Sequence, residues 1–260
     1  MPMSAQPTAT AQPRQTLYRE IIILLALSLG ASAIWSVFNF IELLAQPGTL
    51  SDQTIAMNRA RAAEDLPWLD LARQLTAIAI SLAPAALALH FLHSDRGNPF
   101  RLLGMDSRRA WFDNLTGVGL AALIGIPGLG LYLVARELGF NTTIQTAALY
   151  EHWWTIPVLI LLALKNSLLE EIIVVGYLAT RLKQLSWSPV AIIVASALLR
   201  GFYHLYQGIG GFIGNVVMGA VFAAFYLRYG RIMPLIIAHF ILDIVAFVGY
   251  ALLVDHLSWL

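Results

Sequence analysis

The sequence predicts an all-α integral membrane protein: a polytopic transmembrane helical bundle of about seven spans. Three observations carry that expectation. First, 58% of the 260 residues are hydrophobic and only 12% are charged, whereas a soluble domain carries about a quarter charged residues. So little charge cannot cover a water-facing surface, which excludes a soluble enzyme, a disordered chain and a coiled coil. Second, a bilayer core needs about 20 apolar residues in a helix. Seven stretches meet that need: Tyr18–Ala45, Leu69–Leu92, Trp111–Ala135, Trp153–Leu182, Pro189–Tyr206, Phe212–Tyr229 and Met233–Val254. Third, period-two alternation is nowhere sustained, which argues against a β-barrel.

In chain order, residues 1–16, rich in Pro, Ala, Thr and Gln, read as a disordered tail. Residues 17–260 form a single transmembrane domain, with the motif-bearing core over about 153–250. The run from Tyr18 is too long for the apolar core of a signal peptide and has no clear cleavage site, so it is the first span. Pro84 and Pro127 are expected to kink spans two and three. Trp35, Trp111, Trp153, Trp154 and Trp187 lie near span ends, as interface anchors do. Gly208–Gly214 would make an eighth, re-entrant segment if it turned back into the membrane. Gly210, Gly214, Gly219 and Ala223 form a small-residue stripe suited to close helix packing. No internal repeat is visible, which counts against an inverted-repeat transporter.

Lys+Arg 16 against Asp+Glu 15 gives a net charge of +1, no general field for nucleic acid. With no cysteine, disulfides, thiolate metal sites and a cysteine nucleophile are excluded. The basic residues favour one side: Arg14 and Arg19 in the tail, Arg96 to Arg109 in the second loop, Arg181 and Lys183 in the fourth, Arg228 and Arg231 in the sixth. By the positive-inside rule that side is cytoplasmic, giving a multi-pass cell-membrane protein with its N-terminus inside.

Ionisable groups at membrane depth cost about 2.5–3.5 kcal/mol each for Arg, Lys and Asp, and so are functional candidates. Here they gather in spans four, five and seven: Lys165, Glu170, Glu171, Arg200, His204, His239 and Asp243. Adjacent helical residues diverge by about 100°, so Glu170 and Glu171 face different neighbours. Arg200 with His204, and His239 with Asp243, are spaced i, i+4 and share a face. Brought into one pocket, the set suits water activation: a glutamate as general base, with two histidines orienting the water or donating to an oxyanion. The same His204, His239, Asp243 and Glu170 also make a ligand set for a divalent metal such as zinc, although no H-E-x-x-H spacing occurs. On straight helices His204 stands 16 residues past Ser188 while Glu171 is 10 residues from Arg181, so convergence requires tilt.

At these residues the sequence resembles the CPBP intramembrane protease family, the CAAX protease and bacteriocin-processing, or Abi, group. That family's pattern is E-E-x-x-x-R, then F-x-x-x-H, then H-x-x-x-N or H-x-x-x-D, on separate transmembrane helices. Glu170-Glu171 match the first motif, His204 the second, and His239 with Asp243 the third; Gly176-Tyr177-Leu178 also resemble the family's continuation. The resemblance covers about residues 153–250. It implies a peptide-bond hydrolase in which Glu170 activates water, helped by His204 and His239, with Asp243 completing the pocket. The implied partners are a peptide or membrane-protein substrate and the lipid bilayer. Two rivals stay open: a non-catalytic relative acting in bacteriocin immunity or as a membrane scaffold, and a proton-coupled transporter.

Two positions depart from the pattern. Val175 stands where the family has arginine, and Arg200 where it has phenylalanine. Arg200, one turn from His204, is expected to supply the lost positive charge to Glu171. Arg200→Ala should therefore destabilise the protein or abolish its activity, and Arg200→Phe with Val175→Arg should partly restore it. Full stability and activity in Arg200→Ala would disprove the exchange.

Overall fold

The computed structural model describes residues 12–254 and residue 256. Most of the expected tail, residues 1–11, lies outside the described residues, and the first helix begins at Arg14. The chain is an all-α helical bundle, and helices occupy all seven expected stretches. They are α1 Arg14–Ala26 and α2 Leu29–Ala45; α3 Pro67–Ser81 and α4 Ala83–Arg96; a short α5 Pro99–Leu102; α6 Ala110–Glu137; α7 Thr155–Glu170 continuing through a π-helical segment Glu171–Tyr177 into α8 Leu178–Gln184; α9 Pro189–Tyr203; α10 Ile209–Tyr229; and α11 Met233–Leu253.

By length and composition, four helical stretches can cross a membrane: Pro67–Asp95, Pro99–Glu137, Ile209–Tyr229 and Met233–Leu253. The α1–α2 pair, bent by 49°, makes a fifth. The remaining two expected spans fall short for physical reasons. Helix α9 has 15 residues, about 22 Å at 1.5 Å per residue against a core of about 30 Å. The α7–α8 helix is long enough but carries Lys165, Glu170 and Glu171 in its middle. Gly208–Gly214 is no separate re-entrant segment, because α10 starts at Ile209 and runs straight through it. Pro84 falls in the first turn of α4, just past the break at Leu82, where its missing N–H costs nothing. Pro127 lies inside α6, which continues past it.

A short sheet joins the helices. Strands β1 Thr54–Arg59 and β2 Thr143–Ala148 pair in parallel, Thr54 opposite Thr143 and Arg59 opposite Ala148. Neither TIAMNR nor TIQTAA alternates polar with apolar residues, so the strands leave no period-two signal in the sequence. Asn58 Nδ2 donates to Thr146 O at 2.8 Å, and Thr146 Oγ1 donates to Ala246 O at 2.7 Å, which fastens the sheet to α11.

The core is built around the π segment and its neighbours, including Leu92, Leu103, Ile173, Val175, Phe222 and Leu235. A second cluster gathers Trp154, Val158, Leu159 and Phe247. Trp154 is therefore not an interface anchor: it is buried, its ring 4.7 Å from that of His152. Trp111 and Trp153, by contrast, are exposed.

Two arginines expected as loop charges are internal. Arg181 is fully buried. It donates to Glu20 Oε2 at 2.6 Å, to Phe91 O at 3.1 Å, and to Asp95, tying α8 to α1 and α4. Arg231 donates to Asp113 Oδ2 at 2.6 Å and to Asp106 Oδ1 at 3.2 Å. Their lengths let each guanidinium turn inward from a helix end, an arrangement that residue counts along loops do not reveal. Removing one partner of a buried pair costs about 3–5 kcal/mol, because the other charge is left unmatched. Arg181→Met should lower the melting temperature of the detergent-solubilised protein accordingly, and adding Glu20→Gln should recover part of that loss.

Candidate active site

Three helices bring the polar residues together. Glu170 ends α7 and Glu171 opens the π segment, so the two carboxylates leave the axis in different directions. Arg200 and Tyr203 occupy the last turn of α9, and His204 is its C-cap rather than a residue within the span. His239 and Asp243 lie one turn apart on α11.

Glu171 is clamped from two sides. Arg200 Nη2 lies 2.6 Å from its Oε1, and His239 Nδ1 lies 2.7 Å from the same oxygen. Both Glu171 and Arg200 are 0% exposed. Arg200 is seated by α10, where Phe222 places its ring 5.4 Å from the guanidinium carbon. A side chain on Gly219 would meet Ala197 Cα at 2.9 Å and the Arg200 stem at 3.3 Å. The small-residue stripe of α10 thus makes room for the arginine.

Glu170 has a different environment. Tyr203 donates its hydroxyl to Glu170 Oε2 at 2.7 Å. Around the same oxygen stand Arg200 Nη1 at 3.6 Å, His204 Nε2 at 3.7 Å and His239 Nε2 at 3.9 Å. His239 Nε2 is also 3.7 Å from Asp243 Oδ1, and Asn166 donates to Asp243 Oδ2 at 3.0 Å. Lys165 bonds the Asn166 side-chain oxygen. The side chains of Glu170, His204 and Asp243 keep 10%, 16% and 17% of their surface open, whereas the Glu171–Arg200 pair is sealed.

The hydrogen bonds assign the ring protons of the neutral histidines. Gln207 Nε2 donates to His204 Nδ1 at 3.1 Å, so His204 carries its proton on Nε2, facing Glu170. In the neutral ring of His239, donation from Nδ1 to Glu171 leaves the lone pair on Nε2, which faces Glu170 Oε2 and Asp243 Oδ1.

The loop that carries His204 is held by residues that precede the motif-bearing region. Tyr206 N–H donates to Ser36 Oγ at 2.8 Å, and Thr142 N–H and Oγ1 both donate to Gln207 O, at 3.1 and 3.0 Å. Gly208, at φ +106°, lies against Asn141, where a Cβ would come within 2.7 Å of backbone.

Sequence reasoning missed Tyr203, Asn166 and Gln207 in this network. Tyr203 and Tyr206 read as interfacial tyrosines beside His204, yet Tyr203 is 5% exposed and turned inward. The available signal was spacing: Tyr203 is three residues after Arg200, Asn166 four before Glu170, Gln207 three after His204. Among the described residues, no group of three His, Asp or Glu side chains stands in a metal-holding arrangement. Of the expected ligand set, Glu170 Oε2 accepts from Tyr203, and His239 Nδ1 bonds Glu171.

The model of the Rce1-like family, type II CAAX prenyl endopeptidases, matches residues 152–245. The matched stretch runs from just before α7 to just past Asp243, so over these residues the chain is similar to the CAAX proteases and the matched region holds every motif residue. Neither curated proteins nor solved structures give a match.

Arg200 and His239 each reach both carboxylates, and of the two Arg200 carries the permanent charge. Arg200→Met should cost about 3–5 kcal/mol, read as a lower melting temperature in detergent. Combining it with Glu171→Gln should recover most of that loss, a coupling that a double-mutant cycle measures.

Proposed function

We propose that the chain is an intramembrane endopeptidase that hydrolyses a peptide bond of a membrane-associated peptide or protein with a water activated by Glu170. The observation that carries this reading is the convergence on Glu170 Oε2 of His204 Nε2 at 3.7 Å and His239 Nε2 at 3.9 Å. Those separations exceed a direct hydrogen bond and suit groups bridged by one water.

In the proposed reaction the water donates one proton toward Glu170 Oε2 as its oxygen attacks the carbonyl carbon of the scissile bond. His239 Nε2, its lone pair aimed inward by the Nδ1 bond to Glu171, accepts the water's other hydrogen and orients it. The carbonyl oxygen gathers negative charge, and His204 Nε2–H donates to it. Glu170 then returns its proton to the leaving nitrogen, the C–N bond breaks, and a carboxylic acid and an amine leave. Tyr203 and Arg200 position Glu170. Asp243, held by Asn166, faces His239 and limits how that ring turns.

The sealed Glu171–Arg200 pair supports this division of labour, because a carboxylate without solvent access serves as scaffold. Arg200 also bears on the rival reading of a non-catalytic relative, which rests on Val175: Glu171 has a cation at 2.6 Å without an arginine at 175. We place the protein in the cell membrane as a multi-pass chain with its N-terminus in the cytoplasm, on the distribution of its basic residues.

The test is a terminus-resolved mass-spectrometric comparison of host membranes carrying the wild-type protein or Glu170→Gln at equal abundance. Peptide termini present only with the wild type are the expected result. Identical termini in both membranes, with Glu170→Gln rescuing the deletion phenotype, would replace the enzyme with the scaffold reading.

A further inference from the structure

At the end of the bundle where α10 passes into α11, a cavity of about 410 Å³ opens among Arg101, Arg108, Arg109 and Arg231, with Gly104 and Gly230 between them. It lies apart from the glutamate–histidine site, and none of its residues belongs to that network. Its charges are unequal. Arg108 and Arg231 share Asp106, and Arg231 also holds buried Asp113. The Arg109 guanidinium rests 4.5 Å from the Phe112 ring and, among the described residues, meets no carboxylate. Among the described residues, the Arg101 side chain has neither a hydrogen bond nor an ion pair. Four cations thus stand against two carboxylates, and two guanidinium groups remain unmatched on one concave wall.

We propose that this cavity binds the phosphate of an anionic membrane lipid. Guanidinium groups present paired N–H donors that match phosphate oxygens, and basic pockets between transmembrane helices suit lipid headgroups. Gly230, at φ +67°, has open space where a side chain would stand, so the wall leaves room for the anion.

A second, independent feature points to a lipid rather than a free anion. Two residues after Arg109, α6 begins an outward apolar stripe: Trp111 is 79% exposed, followed by Leu115, Val118 and Ile126, all more than half exposed. Steps of three, four or eight residues keep these side chains on one helix face. Trp111 suits the headgroup level, and the aliphatic residues below it run along the path of an acyl chain. Tyr229, on the cavity wall, packs 6.0 Å from the Phe112 ring and closes the aromatic collar.

The experiment is native mass spectrometry of the full chain released from detergent, with phosphatidylglycerol, phosphatidylcholine or inorganic phosphate added in separate arms. The expected result is a phosphatidylglycerol adduct on the wild type, held about tenfold or more tightly than phosphatidylcholine. The double variant Arg101→Gln/Arg109→Gln should lose that preference. Both side chains are exposed, so the variant should melt at the wild-type temperature without lipid. Arg101→Gln alone, with a smaller loss, provides the same comparison should the double variant fold poorly. Equal retention of the two lipids, or an undiminished adduct on the variants, would overturn the proposal. Displacement of the lipid by inorganic phosphate at equal concentration would also overturn it, assigning the cavity to the free anion.

Discussion

The buried pair between Arg200 and Glu171 is the constraint around which the motif helices are arranged. Its distance is 2.6 Å, and neither side chain reaches solvent. A guanidinium and a carboxylate taken out of water are costly, and only close geometry with further bonds offsets that cost. The further bonds are supplied by other helices: His239 of α11 on the carboxylate, Phe222 of α10 against the guanidinium, and Gly219 yielding space for the arginine stem. One ion pair therefore holds α9, α10, α11 and the π segment in a single relative position. The more open Glu170 inherits its placement from that frame.

The residues that precede the motif-bearing region set where one of the motif residues stands. Helix α9 stops at Tyr203, and His204 points at Glu170 only while the turn after it is held. Ser36 of α2 and Thr142 beyond α6 hold that turn through its backbone. At the opposite end, Glu20 of α1 and Asp95 of α4 engage Arg181. The first spans thus act on the site through two polar attachments, while their outward faces remain apolar.

Composition and hydropathy made the helical membrane fold legible, because lipid-facing helices need apolar residues in long uninterrupted runs. The polar cluster was legible for the complementary reason: Glu170, Glu171, His204, His239 and Asp243 are costly where they stand. What escaped depends on direction. Arg181 and Arg231 fall in loop-adjacent sequence and turn inward, a choice made by Asp95 and Asp113 far along the chain. Tyr203 reads as an interfacial tyrosine until α9 is seen to end on it, with its ring turned inward. The β1–β2 pair has no alternation of polar and apolar residues to separate it from loop composition. Convergence of His204 with Glu170 looked mismatched in depth on straight helices, and residue counting could not anticipate a stretch with a different winding.

That winding has its own consequence. Between Glu171 and Tyr177 the backbone bonds step five residues, as from Leu178 N–H to Ile173 O, instead of four. Each turn there holds more residue per revolution, so α8 leaves the segment rotated relative to the continuation of α7. The π segment is a phase shifter: it lets one continuous helix present its glutamates to α9 and α11 and then Arg181 to α1 and α4. Both polar contacts are thus written into a single rod, and the offset between them is a property of the backbone rather than of any side chain.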